Sequence, residues 1–281
     1  MSSVAIVTDS ASDLPPHVAA ASGIRVVPLV VNFGKQEFQA GVTLTTEQFW
    51  ERMLAPDAPF PTTAAASPGD FKGAFEAAFA DGAGSIVCIT VGGTLSGTLK
   101  SAEIAKNLLP EREIHLVDTH TVSMGEGLLA QLGVELAAEG KTGAEVAATL
   151  DDRKRDVDLY VALDTLEYLK RGGRVSGARA AIGTMLSVKP IITVVDGQVD
   201  TADRVRSRGK ARERVLELLT AKPLERAALL HTTNADVEEF ERAFLTRSGL
   251  DRSMVQTMLV GPSVGPHLGP GCVGGVVLYR R

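Results

Sequence analysis

The sequence predicts a two-domain protein that mixes helices and strands. The length of 281 residues suggests about two domains, at roughly 150 residues per domain. A content of 44% hydrophobic and 22% charged residues excludes a disordered or fibrous chain. The order of predicted elements also changes near residue 155. We therefore predict an N-terminal parallel-sheet α/β domain over residues 1–155, and a C-terminal α+β domain with a mixed or antiparallel sheet over residues 156–281.

Short β-branched runs alternate with helical segments in the first half. The predicted strands cover residues 4–7, 24–33, 85–91 and 114–117. Helices are predicted from near Pro15-Pro16, from Thr45 or Thr46, from Ser67, and after the Gly92–Thr98 segment to about Leu109. Ser67 is a favourable helix start because a serine cap precedes a proline and an acid follows in the first turn. This strand–helix alternation predicts a parallel sheet covered by helices.

The second half follows a different pattern. After a helical stretch over residues 127–154, strands are predicted over 159–163, 190–195, 227–231, 255–260 and 273–279, with a helix over 236–246. Asp196-Gly197 is a strong signal for a two-residue hairpin turn. A hairpin and few helices favour an α+β domain.

Charge and cysteine content exclude several classes of protein. Residues 1–150 carry 8 basic and 17 acidic side chains, a net −9, whereas residues 151–281 carry 21 and 17, a net +4. Cys88 and Cys272 each lie in an apolar run, which predicts buried thiols in a reduced protein. The N-terminus lacks the basic region of a signal peptide, and no apolar stretch reaches the roughly 18 residues of a membrane helix. We expect a cytoplasmic protein with no transmembrane segment.

Familiar catalytic motifs are incomplete. Gly140-Lys141-Thr142 resembles the end of a phosphate-binding loop, but Glu135 stands where that loop needs glycine. Ser96 is not part of the GxSxG motif of serine hydrolases. The five histidines have no close spacing that suits a metal. The sequence therefore predicts no resident metal, cofactor or catalytic residue.

Hydroxyl-rich loops are the candidate ligand-binding segments of the first half. Asp9-Ser10, Ser96-Gly97-Thr98 and Asp118-Thr119 follow predicted strands, and Thr62-Thr63 follows the proline-rich loop from Pro56 to Pro61. Ligands bind outside the carboxyl ends of the strands of an open α/β sheet, so these loops should converge. A helix start has free N–H groups and a partial positive charge, so Ser96 and Thr98 would lie where an anion binds. The alternative is that Ser96 only caps its own helix.

The second half contains further candidate residues. Arg174 lies beyond the Gly172-Gly173 turn, so capping of the preceding helix accounts for Lys170 and Arg171 better than for Arg174. His267 lies in a predicted rigid loop of four glycines and three prolines that would present its imidazole to a ligand and let it change charge near neutral pH.

Basic residues occupy alternate positions after the predicted hairpin. Arg204, Arg206 and Arg208 would face one side of a strand, with a helix starting beyond Gly209. A solvated surface is one interpretation; a patch that docks a protein or phosphate is the other.

Eight short motifs, in order along nearly the whole chain, resemble one family. They are Thr8-Asp9-Ser10-Ala11-Ser12-Asp13, Thr62-Thr63 with Ser67-Pro68-Gly69-Asp70-Phe71, Leu95-Ser96-Gly97-Thr98, Asp118-Thr119 with Ser123 and Gly125, Leu169-Lys170-Arg171-Gly172-Gly173-Arg174-Val175-Ser176, Val188-Lys189-Pro190, Val205-Arg206, and His267-Leu268-Gly269-Pro270-Gly271. This pattern is similar to that of the DegV family of bacterial fatty-acid-binding proteins.

The resemblance implies a long-chain fatty acid held between two domains, with its carboxylate bonded by Thr63 and Ser96. Thr62, Gly97, Arg174 and His267 complete the expected ligand site. It also implies that a separate ATP-dependent fatty acid kinase phosphorylates the bound acid, so the chain would be a carrier and not the catalyst. Arg204, Arg206 and Arg208 are the expected docking residues for that kinase.

The chain departs from the family pattern at two places. Ala64-Ala65-Ala66 replaces the usual Ser-Gln-Pro, and Gly92-Gly93 replaces two serines. Both changes remove hydroxyl or amide groups beside the expected carboxylate site.

Two other functions compete with the carrier hypothesis. One is a stand-alone enzyme that acts on an acyl or phosphorylated small molecule through His267 and Ser96. The other is nucleic-acid binding through the arginine stripe, which a pI near 5.6 and only 5% aromatic residues disfavour. We therefore expect no nucleic-acid partner.

Overall fold

The structure is a computed structural model that describes residues 3–175, 188–233 and 236–281. It divides into two compact units. The N-terminal unit comprises Met1–Arg155 with Gly261–Ser263, and the C-terminal unit comprises Asp156–Val260 with Val264–Arg281. Ser176, the last residue of the predicted glycine-turn motif, lies outside the described residues.

The N-terminal unit has two sheets and six helices within its described part. In chain order its elements are β1 (Ser3–Asp9), α1 (Pro16–Ala21), β2 (Arg25–Val27), β3 (Val30–Phe33), β4 (Gln36–Gln39), α2 (Thr46–Leu54), β5 (Thr62–Ala64), α3 (Pro68–Ala80), β6 (Ala83–Thr90), α4 (Thr98–Asn107), β7 (Ile114–Asp118), α5 (Met124–Ala138) and α6 (Gly143–Arg153). The main sheet is parallel, in the order β2-β1-β6-β7, and a small antiparallel sheet has the order β4-β3-β5.

Local sequence signals account for the helix starts of this unit. Thr45, Ser67 and Thr142 each accept the N–H of the third helical residue, whose side chain in turn accepts the N–H of the cap. Buried apolar residues from α3 and α4 then cover one face of the main sheet, where Phe71 and Phe75 lie 6.0 Å apart between ring centroids. Capping therefore defines where α2, α3 and α6 begin, and the apolar residues of α3 and α4 define which face those two helices bury.

One predicted strand is wrong. Residues 24–33 form two strands, because Pro28 lies between β2 and β3 and lacks a backbone donor. β2 pairs with β1 in the main sheet, whereas β3 pairs with β4 and β5 in the small sheet. The small sheet contacts α2 through Phe33 and Phe49, whose ring centroids are 5.9 Å apart.

The C-terminal unit is built on a six-stranded mixed sheet. Its elements are β8 (Val157–Ala162), α7 (Glu167–Arg171), β9 (Lys189–Val195), β10 (Gln198–Val205), α8 (Arg208–Leu219), β11 (Leu224–His231), α9 (Val237–Ser248), β12 (Val255–Leu259), α10 (Gly265–Leu268) and β13 (Val273–Tyr279). The strand order is β10-β9-β8-β13-β11-β12, with β11 and β12 parallel and the other pairs antiparallel. The predicted fold class, a parallel-sheet domain followed by a mixed-sheet domain, is confirmed.

The predicted hairpin is also confirmed. Asp196 and Gly197 join β9 to β10 with φ of 48° and 76°, the positive values that a type I′ turn requires. Apolar residues of α8 and α9, such as Val215 and Phe244, pack in one buried cluster with strands of the mixed sheet.

Two predictions near the basic and histidine-bearing segments are wrong. Strand β10 ends at Val205 and α8 begins at Arg208 with Ser207 as its cap, so the three alternating arginines do not share one strand face. His267 lies on the short helix α10 and not in a loop. No helix in the described part of the chain is both long and apolar enough to span a bilayer.

Two carboxyl groups, those of Asp9 and Glu126, are fully buried in the N-terminal unit. Glu126 Oε1 accepts the hydroxyl of Thr8 at 2.6 Å and the N–H of Asp9 at 3.3 Å. Burial, and secondly the charge of Asp9, raises the pKa of Glu126, and burial raises the pKa of Asp9. Sequence reasoning missed Glu126, although an acid among the apolar residues of α5 was a visible signal.

Asp13 is a partly buried acid of the same unit. Its Oδ2 accepts the hydroxyl of Ser123 at 2.6 Å, and its Oδ1 accepts the N–H of Gly261 at 2.9 Å. Burial raises the pKa of Asp13 to about 7, which the two hydrogen bonds only partly offset. The side chain therefore ties the Gly261–Ser263 segment into the N-terminal unit while favouring the proton.

These buried acids predict that the N-terminal unit loses stability as the pH rises. A carboxyl group whose pKa is higher in the folded than in the unfolded state stabilises the fold at low pH. This contribution is lost as the pH rises through the folded-state pKa, which is about 7 for Asp13. One such group changes the free energy of unfolding by up to about 1.4 kcal/mol per pH unit. Trp50, the single tryptophan, is buried in α2 and its fluorescence reports urea unfolding of this unit.

The urea concentration at the midpoint of unfolding should decrease as the pH is raised from 5 to 8. Asp13→Asn keeps an acceptor for Gly261 but cannot ionise, so its midpoint should fall less steeply, and an exposed control, Asp57→Asn, should follow the wild-type slope. Equal slopes for all three proteins would contradict this assignment of the pH dependence to Asp13.

Candidate functional site

The carboxyl ends of β1, β6 and β7 meet at one edge of the parallel sheet. Asp9 Oδ2 accepts the N–H of Val91 at 3.0 Å, which ties the end of β1 to the segment after β6. Asp118 Oδ1 accepts the N–H of Gly93 at 3.0 Å, which ties the end of β7 to the same segment. The structure thus brings together three of the polar loops that the sequence analysis singled out.

The segment from Gly92 to Ser96 is held closely against the turn that follows β7. The Gly92 N–H donates to the Thr121 carbonyl at 2.8 Å, and Asp118 Oδ1 also accepts the N–H of His120 at 3.1 Å. A Cβ built at Gly93 would lie 3.0 Å from Asp118 Oδ2, and one at Gly92 would lie 3.3 Å from backbone atoms of His120. The two glycines, which depart from the family pattern, therefore suit this close approach.

Ser96 and Thr98 form a hydroxyl pair at the start of α4. Their Oγ and Oγ1 atoms are 2.7 Å apart, and Ser96 Oγ also accepts the N–H of Thr98 at 3.3 Å. Ser96 is half-buried, whereas Thr98 is fully buried. The cap position itself is Gly97, which supplies no side chain. Ser96 thus bonds one free N–H of the helix and remains accessible.

Thr62 and Thr63 lie on β5 and not in a loop as expected. They pair with Asn32 and Val31 of β3, with Thr62 exposed and Thr63 half-buried. The chain after β5 runs beside α4, since a Cβ built at Gly97 would lie 3.9 Å from the Cβ of Ala65. The segments that carry Thr63 and Ser96 are therefore neighbours in the N-terminal unit.

Arg174 and His267 lie close together in the C-terminal unit. Arg174 Nη1 donates to the Gly172 carbonyl at 2.6 Å, so its guanidinium bonds the end of α7. The His267 imidazole packs against Gly172, where a Cβ would overlap it. Burial, and secondly the charge of Arg174, lowers the pKa of His267 to about 4. The expectation that His267 changes charge near neutral pH is wrong, because a buried imidazole beside a cation stays neutral there.

The three docking candidates have different surroundings. Arg208 pairs with Asp164 through its Nε at 3.0 Å, and Lys189 pairs with the same carboxylate at 2.9 Å. Arg204 and Arg206 are exposed, and no ion pair within residues 3–175, 188–233 and 236–281 involves either guanidinium. Two of the three cations are thus available at the surface.

Three solved structures of fatty-acid-binding proteins have a fold similar to that of this chain. A DegV family protein from Thermus thermophilus, described by its fatty acid binding, has a TM-score of 0.91 at 34% identity, covering 99% of this chain and 100% of that one. A stearic-acid-binding protein from Eubacterium ventriosum has a TM-score of 0.88 at 26% identity, with 97% of each chain covered. DegV from Bacillus subtilis, a fatty acid binding protein, has a TM-score of 0.84 at 27% identity, with 99% of each covered.

Sequence comparison agrees with the structural one. The model of a family described as "Uncharacterised protein, DegV family" matches residues 3–280. A DegV domain-containing protein from Deinococcus radiodurans is 37% identical over 279 residues, or 97% of each chain. The chain belongs to the DegV family.

The contacts of Asp118 predict its role in this site. Asp118→Ala removes the acceptor for the N–H groups of Gly93 and His120, and because both groups are exposed to water, the loss should cost about 0.5 to 1.5 kcal/mol per hydrogen bond. Amide hydrogen exchange at both residues should become faster, whereas Asp118→Asn, which keeps an acceptor oxygen, should retain most of the protection. Unchanged exchange in the alanine variant would show that other contacts hold the segment.

Proposed function

We propose that this chain binds a long-chain fatty acid and holds its carboxylate with the hydroxyls of Thr63 and Ser96. The observation that carries the proposal is that the segment after β5, which follows Thr63, lies beside the start of α4, where Ser96 and Thr98 form their hydroxyl pair. Solved relatives of the same family, at 26% to 34% identity, are described as binding fatty acids.

Neutral donors suit a carboxylate that must be released or modified later. Hydrogen bonds to a charged group contribute about 1.5 to 3 kcal/mol each, enough to orient the head group. Withdrawing an acyl chain from water contributes about 0.8 kcal/mol per methylene, so roughly a dozen methylenes supply on the order of 10 kcal/mol before ordering costs. The chain therefore supplies most of the affinity, and the hydroxyls supply orientation.

The other residues predicted to bind the ligand have smaller roles in the proposed site. Thr62 and Gly97 flank the two hydroxyl donors in sequence. Arg174 and His267 are proposed as ligand residues of the C-terminal unit, with His267 acting as a neutral hydrogen-bonding group, since its pKa lies near 4. The nearest partner of Ser96 is the hydroxyl of Thr98, which suits a donor to a ligand better than an activated nucleophile.

Lipid extraction tests the proposal directly. Protein purified from a bacterial host should release a long-chain fatty acid that mass spectrometry identifies, or should take one up on incubation with oleate or palmitate. If neither occurs, the chain is not a fatty acid carrier. Catalytic turnover of an acyl or phosphorylated compound by the purified chain, abolished in His267→Ala with binding intact, would favour the enzyme alternative instead.

Substitution of the two hydroxyls tests the proposed contacts. Ser96→Ala and Thr63→Val should each weaken fatty acid binding about tenfold or more, because each removes one donor to the carboxylate. Thr149→Val on α6, where the hydroxyl bonds the Glu145 carbonyl, is the matched control and should bind as the wild type does. Unchanged affinity in both site variants, measured by calorimetry on delipidated protein, would refute the assignment of these residues.

We further propose that the bound acid is presented to a separate ATP-dependent kinase, which docks on Arg204 and Arg206. An exposed cation pair attracts an acidic partner surface and accelerates association at low salt. Arg208 contributes less to docking in this proposal, because its guanidinium already pairs with Asp164.

Charge reversal tests the docking surface. Arg206→Glu should lower the rate of acyl phosphate formation in a reconstituted system with ATP and a bacterial fatty acid kinase, and should leave fatty acid affinity unchanged. Arg280→Glu, at another exposed arginine of the C-terminal unit, is the matched control. A loss of fatty acid affinity in Arg206→Glu would assign the residue to the lipid site, and equal rates for both variants would exclude it from docking.

A further inference from the structure

The hydrogen-bond partners of Thr98 determine which hydroxyl of the Ser96–Thr98 pair is the donor. The Thr98 side chain is fully buried, and in the described part of the chain Ser96 Oγ, at 2.7 Å, is its hydrogen-bond partner. If Ser96 donated to Thr98, the Thr98 hydrogen would be buried without an acceptor, which costs free energy. The reverse direction satisfies Thr98 completely. Thr98 is therefore the donor and Ser96 Oγ the acceptor.

The backbone of Thr98 adds a second donor to the same oxygen. Its N–H points at Ser96 Oγ at 3.3 Å, so Ser96 Oγ accepts both the N–H and the O–H of Thr98. A hydroxyl oxygen has two lone pairs and one hydrogen. With both lone pairs engaged, Ser96 can offer a ligand only its hydrogen.

We propose that Thr98 is a specificity-determining positioning residue, which makes Ser96 an obligate hydrogen-bond donor and so favours a carboxylate over an uncharged head group. This inference rests on the proposed function, since it concerns the same Ser96. Thr98 acts through Ser96 and does not contact the ligand. The chain of two hydroxyls also polarises the Ser96 O–H bond, and this strengthens a hydrogen bond to an anion more than one to a neutral oxygen.

The test compares two ligands that differ only in the head group. Palmitate and hexadecanol are titrated into delipidated wild type, Thr98→Val and Thr98→Ser, and the ratio of the two dissociation constants is measured for each protein. Thr98→Val preserves the branched shape without the hydroxyl, so palmitate affinity should fall by about five- to tenfold while hexadecanol affinity changes less than twofold. Thr98→Ser keeps the hydroxyl and should retain the wild-type ratio.

If the ratio of the two dissociation constants is unchanged in Thr98→Val, the inference is wrong, because a purely structural role would weaken the binding of both ligands equally. The fluorescence of Trp50 verifies that each variant is folded, and Thr98→Ala replaces Thr98→Val if the latter does not fold. Failure of the wild type to bind palmitate would refute the proposed function and this inference with it. Palmitate binding by the wild type with an unaltered variant ratio would refute this inference alone.

Discussion

The buried carboxyl group of Asp9 is the interaction on which the candidate site depends. It accepts the N–H of Ala11 at 2.8 Å and the N–H of Val91 at 3.0 Å, so it shapes the turn after β1 and anchors the chain where it leaves β6. These N–H groups partly offset the burial of a carboxyl group, which is otherwise unfavourable. Because the segment with Ser96 begins at this anchor, the position of the hydroxyl pair follows from a fully buried contact.

The site combines rigid backbone with small side chains. Asp9 and Asp118 hold the two ends of the Val91–Gly93 connection, and the glycines let the backbone approach the turn after β7. The half-buried Ser96 and the fully buried Thr98 then lie at the start of α4, beside the segment that follows β5. Loss of the family's serines at Gly92 and Gly93 therefore removes hydroxyls, but it leaves the positioning of Ser96 in place.

Local sequence signals predicted most of the fold, and the errors arose where strand pairing between distant segments determined the structure. The cap at Ser67 and the turn at Asp196-Gly197 depend on neighbouring residues, and both were predicted correctly. Thr45, which caps α2, was one of the two predicted starts of that helix. The run 24–33 was predicted as one strand although Pro28 interrupts it, and the assignment of its two parts to different sheets depends on their pairing with β1 and with β4 and β5. The three-residue strand β5 exists through its partner β3, and its own sequence, Thr-Thr-Ala, carries almost no strand signal.

Amino-acid order alone defined the α/β class, the family resemblance and the identity of the hydroxyl and basic candidates, because capping, periodicity and turn chemistry act over a few residues. Tertiary packing decided the rest. It set the burial of Asp13, Glu126 and His267, and so the direction of their pKa shifts. It separated Arg208, paired with Asp164, from the exposed Arg204 and Arg206. It also gave Ser96 its partner and its proton direction, since desolvation and hydrogen-bond satisfaction depend on groups that meet only in the folded chain.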